Sequence, residues 1–292
     1  MIQGIILKGY SGFYYVFAQD RVWECSLRGR FRIKDQDFFP GDRVKILPSG
    51  PGKASIEEVE KRHNVLTRPP IVNVDQALLI FAQTSPNPDY NFLDRLLIQV
   101  SEADIKPVLV VTKTDLGDST NQKAEDLFAY YEKIGYEVYR ISSVSGQGLE
   151  KVRHCLEGKI SVLAGQSGVG KSSLLNALCP GLELKTSRVS RKIARGRHTT
   201  RHVELMVCAG GLVADTPGFS SLDLPKMKKE ELAGLFPEFM SYLGRCRFKS
   251  CLHNKEPDCA VKEAVKSRDI LALRYEHYLI FLQELMVSER SY

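Results

Sequence analysis

Gly165-Gln166-Ser167-Gly168-Val169-Gly170-Lys171-Ser172 decides the fold of this chain. The run has the spacing G-x-x-x-x-G-K-[ST]. It stands between residues 159–164, which read as a strand, and Lys171–Leu178, which read as a helix. That setting gives the residues their chemistry. Gly165, Gly168 and Gly170 let backbone N–H groups curl around a β-phosphate without side-chain clash. Gln166, Ser167, Val169 and Ser173 complete the cradle at the positive end of the helix. Lys171 is then expected to reach the β- and γ-phosphates as a catalytic cation, and the Ser172 hydroxyl to ligate Mg²⁺. The loop requires a nucleoside triphosphate and leaves the base open.

Outward from this loop, residues 65–223 read as an α/β doubly wound domain. Residues 74–82 and 107–111 are nearly continuous apolar runs, as in strands buried on both faces of a parallel sheet. Phe92, Leu93, Leu96, Leu97 and Val100 recur at helical spacing between them, and Ala124, Leu127, Phe128, Tyr131 and Ile134 mark a second helix. Thr112-Lys113-Thr114-Asp115 stands at the end of the second strand, where open α/β sheets bind ligands. The Asp115 carboxylate can accept from N1–H and the exocyclic amine of guanine, a donor pair that adenine lacks. Ser142 and Ser143 follow another short strand and are placed to turn backbone N–H groups toward the guanine O6. Asp215-Thr216-Pro217-Gly218 follows a strand over 212–214. Its Asp215 is expected to hold Mg²⁺ through water and its Gly218 N–H to sense the γ-phosphate.

Each short motif alone could be a loop with a helix cap, but three at strand ends around one phosphate loop specify a guanine-nucleotide site. Their order is unusual. GTPases ordinarily run phosphate loop, switch threonine, Asp-x-x-Gly, base motif and Ser/Ala loop, whereas here the last two come first. All lie on the carboxyl edge of one sheet, so a circular permutation keeps the site intact while moving the chain ends. In these motifs the chain resembles the RsgA/YjeQ family of circularly permuted, ribosome-associated GTPases, and the resemblance covers the whole length. It implies GTP hydrolysis stimulated by the small ribosomal subunit, contact with its rRNA, and a role in late maturation of that subunit. One departure is Thr112, where the common base motif has Asn to brace the loop and touch the base; weaker guanine affinity is therefore expected.

Between the phosphate loop and Asp215 the chain carries Lys185, Arg188, Arg191, Lys192, Arg195, Arg197 and Arg201 without an acid among them, which suits docking on phosphate-rich RNA. Gly196-Arg197-His198-Thr199-Thr200 resembles the family's first switch, with Thr200 rather than Thr199 expected on Mg²⁺. Ras-like enzymes place a water-orienting Gln directly after Asp-x-x-Gly. Here that position is Phe219, so intrinsic hydrolysis is expected to be slow, and His198 is the candidate to position water. The chain leaves the nucleotide region just after Phe219, which suggests that movement of Gly218 on γ-phosphate loss pulls the C-terminal part directly.

Cys246, Cys251, His253 and Cys259 give C-x₄-C-x-H-x₅-C, three thiolates and an imidazole that close a tetrahedral shell of the structural zinc kind. The spacing also matches the family's zinc motif. One Zn²⁺ per chain is expected, in a region (224–292) that otherwise reads as α-helical, with Leu271, Tyr275, Tyr278, Leu282 and Leu285 along one helix face. Cys25, Cys155, Cys179 and Cys208 are scattered singly and read as buried thiols.

Residues 1–64 are strand-like. Runs at 13–17, 21–25, 42–47 and 55–59 are separated by glycine and Pro40-Gly41-Asp42 turn signals, which suggests a five-stranded OB-type barrel. Arg28, Arg30, Arg32 and Lys34 alternate with Gly29, Phe31 and Ile33, putting four cations on one face of a strand, either solvated or facing RNA. The 292 residues thus divide into an OB-fold barrel (1–64), a permuted P-loop GTPase domain (65–223) and a helical zinc-binding domain (224–292). With 43% hydrophobic residues, a net charge of +6, no run that spans a bilayer and no signal-peptide layout, a cytoplasmic monomer is expected. Its partners are GTP/GDP and the small ribosomal subunit with its rRNA, and no membrane. Two other classes remain open: an RNA-binding module that holds guanine nucleotide without turnover, and a P-loop ATPase or nucleotide kinase, against which Asp115 and the Asp215 motif argue.

Overall fold

The computed structural model of the protein describes residues 1–10, 12–28, 37–67, 70–116, 122–179, 181, 203–215 and 223–290. The chain begins with a closed barrel in the order β1-β2-β3-β5-β4. Its strands are β1 (Ile2–Tyr10), β2 (Phe13–Ala18), β3 (Arg21–Leu27), β4 (Arg43–Gly50) and β5 (Lys53–Val59). Alternation fills the interior: Ile6, Val16, Trp23, Cys25, Val44, Ile46 and Ile56 form its core. The sequence pattern pointed to four of the five strands. β1 escaped it, because Gly4 and Gly9 interrupt the run, yet β1 pairs with both β2 and β4 and closes the barrel.

Of the four-cation run, Arg28 alone lies among the described residues. It stands just beyond β3 with its side chain 61% exposed and its guanidinium paired with Glu57 of β5. Arg30, Arg32 and Lys34 lie outside the described residues.

A two-stranded ribbon, β6 (Val65–Thr67) and β7 (Pro70–Val72), joins the barrel to a six-stranded sheet. The sheet runs β10-β9-β8-β11-β13-β12, with β8 (Gln76–Ala82), β9 (Lys106–Thr112), β10 (Glu137–Arg140), β11 (Ile160–Ala164), β12 (Met206–Cys208) and β13 (Gly211–Asp215). Every pairing is parallel except β12 with β13 at one edge. The joint is tight at Gly41. Its φ is +94°, and a Cβ there would lie 1.9 Å from the Val72 carbonyl oxygen. Only glycine admits both the left-handed backbone and that approach.

Helices cover both sheet faces, as the apolar runs required. Leu79, Phe81, Leu109, Val111 and Val162 point to the side covered by α1 (Tyr90–Glu102) and α2 (Gln122–Lys133). Their neighbours Leu78, Ile80, Val108, Val110 and Leu163 point to the side covered by α3 (Leu149–Leu156) and α4 (Lys171–Leu178). Strands added from β8 go one way to β9 and β10 and the other way to β11 and β13. The strand order therefore reverses between β8 and β11, and the crevice at their carboxyl ends is the natural ligand site.

The C-terminal part carries two short 3-10 turns, Leu232–Leu235 and Pro237–Phe239, then α5 (Ala260–Lys266) and α6 (Ala272–Arg290). Tyr278, Leu282 and Leu285 pack into its own core with Phe236 and Phe239, as the helical stripe suggested. Leu271 instead rests against the core of the sheet. A polar lock fixes this part to α1. Asp94, fully buried, accepts from Tyr131 Oη, Arg274 Nη1 and His277 Nδ1, each at 2.5 Å. Arg274 also reaches both carboxylate oxygens of Glu238, and Arg95 forms a bidentate pair with Glu284.

One expectation about the cysteines is corrected. Cys179 and Cys208 are not separate thiols but a disulfide with Cα atoms 5.6 Å apart, whereas Cys25 and Cys155 are free and buried. The pair meets because α4 lies across the sheet and ends beside the β12–β13 hairpin, a proximity with no trace in spacing along the chain. No described helix is long and apolar enough to cross a membrane.

Candidate functional site

The phosphate loop leaves β11 at the point of strand reversal. Gly165 sits so close to β8 that a Cβ would lie 2.2 Å from the Ile80 carbonyl oxygen, and its φ of 147° again favours glycine. Gly170 caps α4 in the left-handed conformation at φ 102°, and Leu174 N–H donates to its carbonyl at 2.8 Å, closing the first turn. Val169 is the apolar pin between these glycines, buried with Leu174 and Leu175 under the sheet. Ser167 and Gly168 are exposed at the loop crest, and Ser172 and Ser173 follow on the first turn of α4. Lys171 Nζ lies 2.7 Å from the carbonyl oxygens of Gly165 and Gln166, held over the crest of the loop where phosphate oxygens would be met.

The base-reading loop is locked to this one by two side chains. The Thr112 hydroxyl, buried at the end of β9, donates to the Val169 carbonyl at 2.5 Å. Lys113 Nζ donates to the Gly168 carbonyl at 2.8 Å and also to that of Ser85 in the loop after β8. At the departure position the Thr112 hydroxyl thus ties the end of β9 to the phosphate loop. Thr114–Leu116 form a 3-10 turn that leaves Asp115 exposed at the sheet edge. Thr114 N–H donates to Ile141 O at 3.3 Å, joining this turn to the second base loop. The Thr114 hydroxyl oxygen is buried with no hydrogen-bond partner among the described residues.

The second base loop is rigid for its own reason. Ser142, fully buried, accepts on its Oγ from Val144 N–H at 3.2 Å and Ser145 N–H at 3.1 Å, an ST-type turn. Gly148 closes it, since a Cβ there would lie 2.2 Å from Arg140 O. Ser143 is left half-buried at the rim with Val144 fully outside it.

Asp215 ends β13, its backbone in register with Leu163 of β11, so that motif starts one strand from the phosphate loop. Gly218, Phe219, His198, Thr199, Thr200 and the switch cations lie outside the described residues. The structure thus brings together Thr112, Lys113, Asp115, Ser142, the 165–173 loop and the Asp215 backbone at one sheet edge. The sequence reading missed the Ser85 carbonyl. It also missed the Asp94 network beneath α1, because isolated polar residues on three elements carry no periodic signal.

The second site lies away from the sheet edge. Cys246, Cys251, His253 and Cys259 place one ligand atom each within 4.8 Å of all the others. Cys246 Sγ is 3.8 Å from Cys259 Sγ, and His253 Nδ1 is 3.5 and 3.4 Å from Cys246 Sγ and Cys259 Sγ. A tetrahedron with metal–sulfur bonds of about 2.3 Å has edges of about 3.8 Å, so the four residues fit a tetrahedral metal ion. Burial lowers the His253 pKa and keeps its imidazole neutral, the form that ligates, while burial pushes the Cys251 thiol up to about 12. Around them, Tyr275 and Tyr278 hydroxyls donate to the His253 and Leu252 carbonyls at 2.7 Å, and Glu256 accepts from the Leu252 and Asn254 N–H groups.

Residues 59–225 match the RsgA GTPase family and residues 3–56 the RsgA N-terminal domain. Over its full length the chain is 50% identical to the small ribosomal subunit biogenesis GTPase RsgA of Moorella thermoacetica, covering 100% of both. It is 47% identical to the RsgA of Geobacillus thermodenitrificans, again over 100% of both chains. Among solved structures it is similar to YloQ, described as a circularly permuted GTPase, with a TM-score of 0.83 at 40% identity over 99% of this chain and 96% of that one. It is also similar to YjeQ from Thermotoga maritima, with a TM-score of 0.85 at 36% identity over 98% of each.

Proposed function

This chain belongs to the RsgA GTPase family and is a GTP hydrolase; from that premise we propose that it binds the small ribosomal subunit through its rRNA and hydrolyses GTP in the late maturation of that subunit. The observation that carries the reading is identity near one half, over the whole length, to relatives named for biogenesis of that subunit. The interlocked loops at the sheet edge supply a site of matching chemistry.

In this reading Asp115 selects guanine, and the backbone of Ser142 and Ser143 meets its O6. The loop from Gly165 to Ser173 cradles the phosphates, with Lys171 moving from its carbonyl partners onto the β- and γ-phosphate oxygens. Ser172, Thr200 and Asp215 would hold Mg²⁺, which supplies charge neutralisation at the transferring phosphoryl group when bound. His198 positions the attacking water and Gly218 meets the γ-phosphate. The four ligands from Cys246 to Cys259 hold a structural Zn²⁺. The functional units are a barrel over 1–64, the nucleotide unit over 65–223 and the metal unit over 224–292.

Phosphate release from GTP, measured with and without purified small subunits, tests the reading. Slow turnover that rises steeply on adding subunits is expected. Turnover indifferent to subunits would remove the ribosomal role, and a chain that binds GTP yet never releases phosphate would leave only an RNA-binding module.

A further inference from the structure

The nucleotide and metal sites leave two cysteines unused. Cys179 caps the C-terminal end of α4, and Cys208 ends β12 at the turn into β13. They are 9% and 2% exposed and are joined across a sequence separation of 29. Their Cα separation of 5.6 Å sits in the middle of the range a disulfide requires, so the bond needs no rearrangement of the backbone to form or to open.

We propose that Cys179 and Cys208 form a reversible redox-modification site, taking a hydroperoxide or a small-molecule disulfide as oxidant, whose state sets the rate of nucleotide turnover. Position is the first argument. The bond fastens the far end of the helix that opens with Lys171 and Ser172 to the hairpin whose second strand ends at Asp215. The bond thus adds a covalent tie between two elements that carry phosphate and Mg²⁺ residues and that are otherwise joined through the β11–β13 pairing. The bridged interval of sequence also contains His198 and Thr200.

The surroundings also fit an oxidisable thiol. A helix C-terminus ordinarily disfavours a thiolate, but here Arg153 Nη1 donates to the Leu178 carbonyl at 3.0 Å. This cation, which also pairs with Glu150 at 3.3 Å, stands at the residue preceding Cys179, and Cys179 is the more exposed of the two.

With a hydroperoxide the atoms balance in two steps. The Cys179 thiolate attacks the terminal oxygen, an S–O bond forms as the O–O bond breaks, and the alkoxide leaves and takes up a proton. Cys208 sulfur then attacks the sulfenic sulfur, the S–S bond forms, and hydroxide leaves as water with the Cys208 proton. Two thiols and one hydroperoxide yield one disulfide, one alcohol and one water. With a small-molecule disulfide, the Cys179 thiolate displaces one thiolate to form a mixed disulfide and Cys208 sulfur displaces the other, so that two small thiols leave with the two protein protons. A dithiol reverses either oxidation by returning two electrons and two protons.

The test uses the full, zinc-loaded chain, treated with hydrogen peroxide or oxidised glutathione or kept in dithiothreitol, then alkylated and mapped by mass spectrometry. Phosphate release from GTP is measured on each sample; the cross-link is read independently of the GTPase assignment, and the reduced sample gives the reference turnover. The expected result is a Cys179–Cys208 peptide in the oxidised sample and turnover lowered about fivefold, the smallest step usual for coupled sites, and restored by dithiothreitol. Cys179→Ala and Cys208→Ser, made separately so that one stands if the other misfolds, should each turn over GTP at a rate indifferent to oxidant. Full alkylation of both cysteines after oxidation, a cross-link that leaves turnover unchanged, or variants that remain oxidant-sensitive would overturn the proposal.

Discussion

The Thr112 hydroxyl donates to the carbonyl oxygen of Val169 at 2.5 Å, tying the base-reading loop to the phosphate loop through a single buried bond. Removing the hydroxyl while keeping its shape leaves the Val169 carbonyl buried with one partner fewer, a loss of about 1–3 kcal/mol. Much of that loss should appear as disorder of the phosphate loop in the free protein. Thr112→Val is therefore expected to weaken GDP binding about tenfold, since about 1.4 kcal/mol corresponds to one decade. Thr112→Ser should stay near the parent. Titration with a fluorescent GDP analogue checks both, and equal affinities for the two variants would refute the bracing role.

How legible this site was in the sequence depended on whether its parts were local. The phosphate loop, Thr112 to Asp115 and the Ser142 turn each lie within a few residues, and the strands before the first two, β11 and β9, announce themselves as apolar runs buried on both faces. Side-chain partners from remote elements left no such mark. The Thr112–Val169 bond spans 57 residues, and the Arg274–Asp94 bond spans 180. The Cys179–Cys208 pair was misread for the same reason, since neither cysteine belongs to a motif. β1 was missed because Gly4 and Gly9 break up its apolar residues, although it pairs on both sides.

Asp115 is exposed at the sheet edge with its carboxylate available to a base. Asp115→Asn keeps one acceptor oxygen for N1–H and exchanges the other for a donor that faces the guanine exocyclic amine, so the site should lose guanine by about 100-fold while tolerating xanthine, whose C2 carbonyl accepts from that donor. Competition between GDP and xanthosine diphosphate for the variant measures this. Unchanged preference for GDP would show that another group reads the base.

Asp94 holds three partners in the space between α1 and α6, and it is fully buried beside an Arg274 that is 2% exposed. Asp94→Ala leaves the guanidinium facing Glu238 alone and strands the Tyr131 hydroxyl and the His277 ring. Breaking a buried pair in this way costs about 3–5 kcal/mol. Urea unfolding of the zinc-loaded protein should show that loss. In the half-exposed Arg95–Glu284 pair, Glu284→Gln keeps an acceptor for the buried guanidinium and should cost less than Asp94→Ala.

Chelation should act locally. The C-terminal core around the four ligands is small, and Leu252 to Glu256 are ordered by hydrogen bonds that presuppose the His253 position. Stripping the metal is expected to expose amides of 246–259 to hydrogen exchange while the barrel strands keep their protection. Cys251→Ser should give the same pattern together with a zinc content near zero. Loss of protection in the barrel to the same degree would mean that the metal holds the whole chain together.

The permuted order suggested that Gly218 pulls the C-terminal part when γ-phosphate is lost, and the α1 interface weighs against a large displacement. Gln99 of α1 donates to the Asp223 carbonyl at 2.7 Å, five residues after Gly218, so the chain is tethered to the sheet domain as soon as it re-enters the described structure. Beyond that tether stand the Asp94 network and the Arg95–Glu284 pair, both of which would have to break for the C-terminal part to swing. Of these, the Asp94–Arg274–Glu238 set is buried on every side, and separating it without replacement partners leaves its charges uncompensated. Hydrogen exchange on the GDP form and on a form with a non-hydrolysable GTP analogue should therefore show equal protection along α1 and α6, with differences confined to the phosphate loop, the base loops and the chain between 180 and 222. Exchange that speeds up on α6 in one nucleotide state would show instead that the lock opens and that hydrolysis moves the metal domain as a lever.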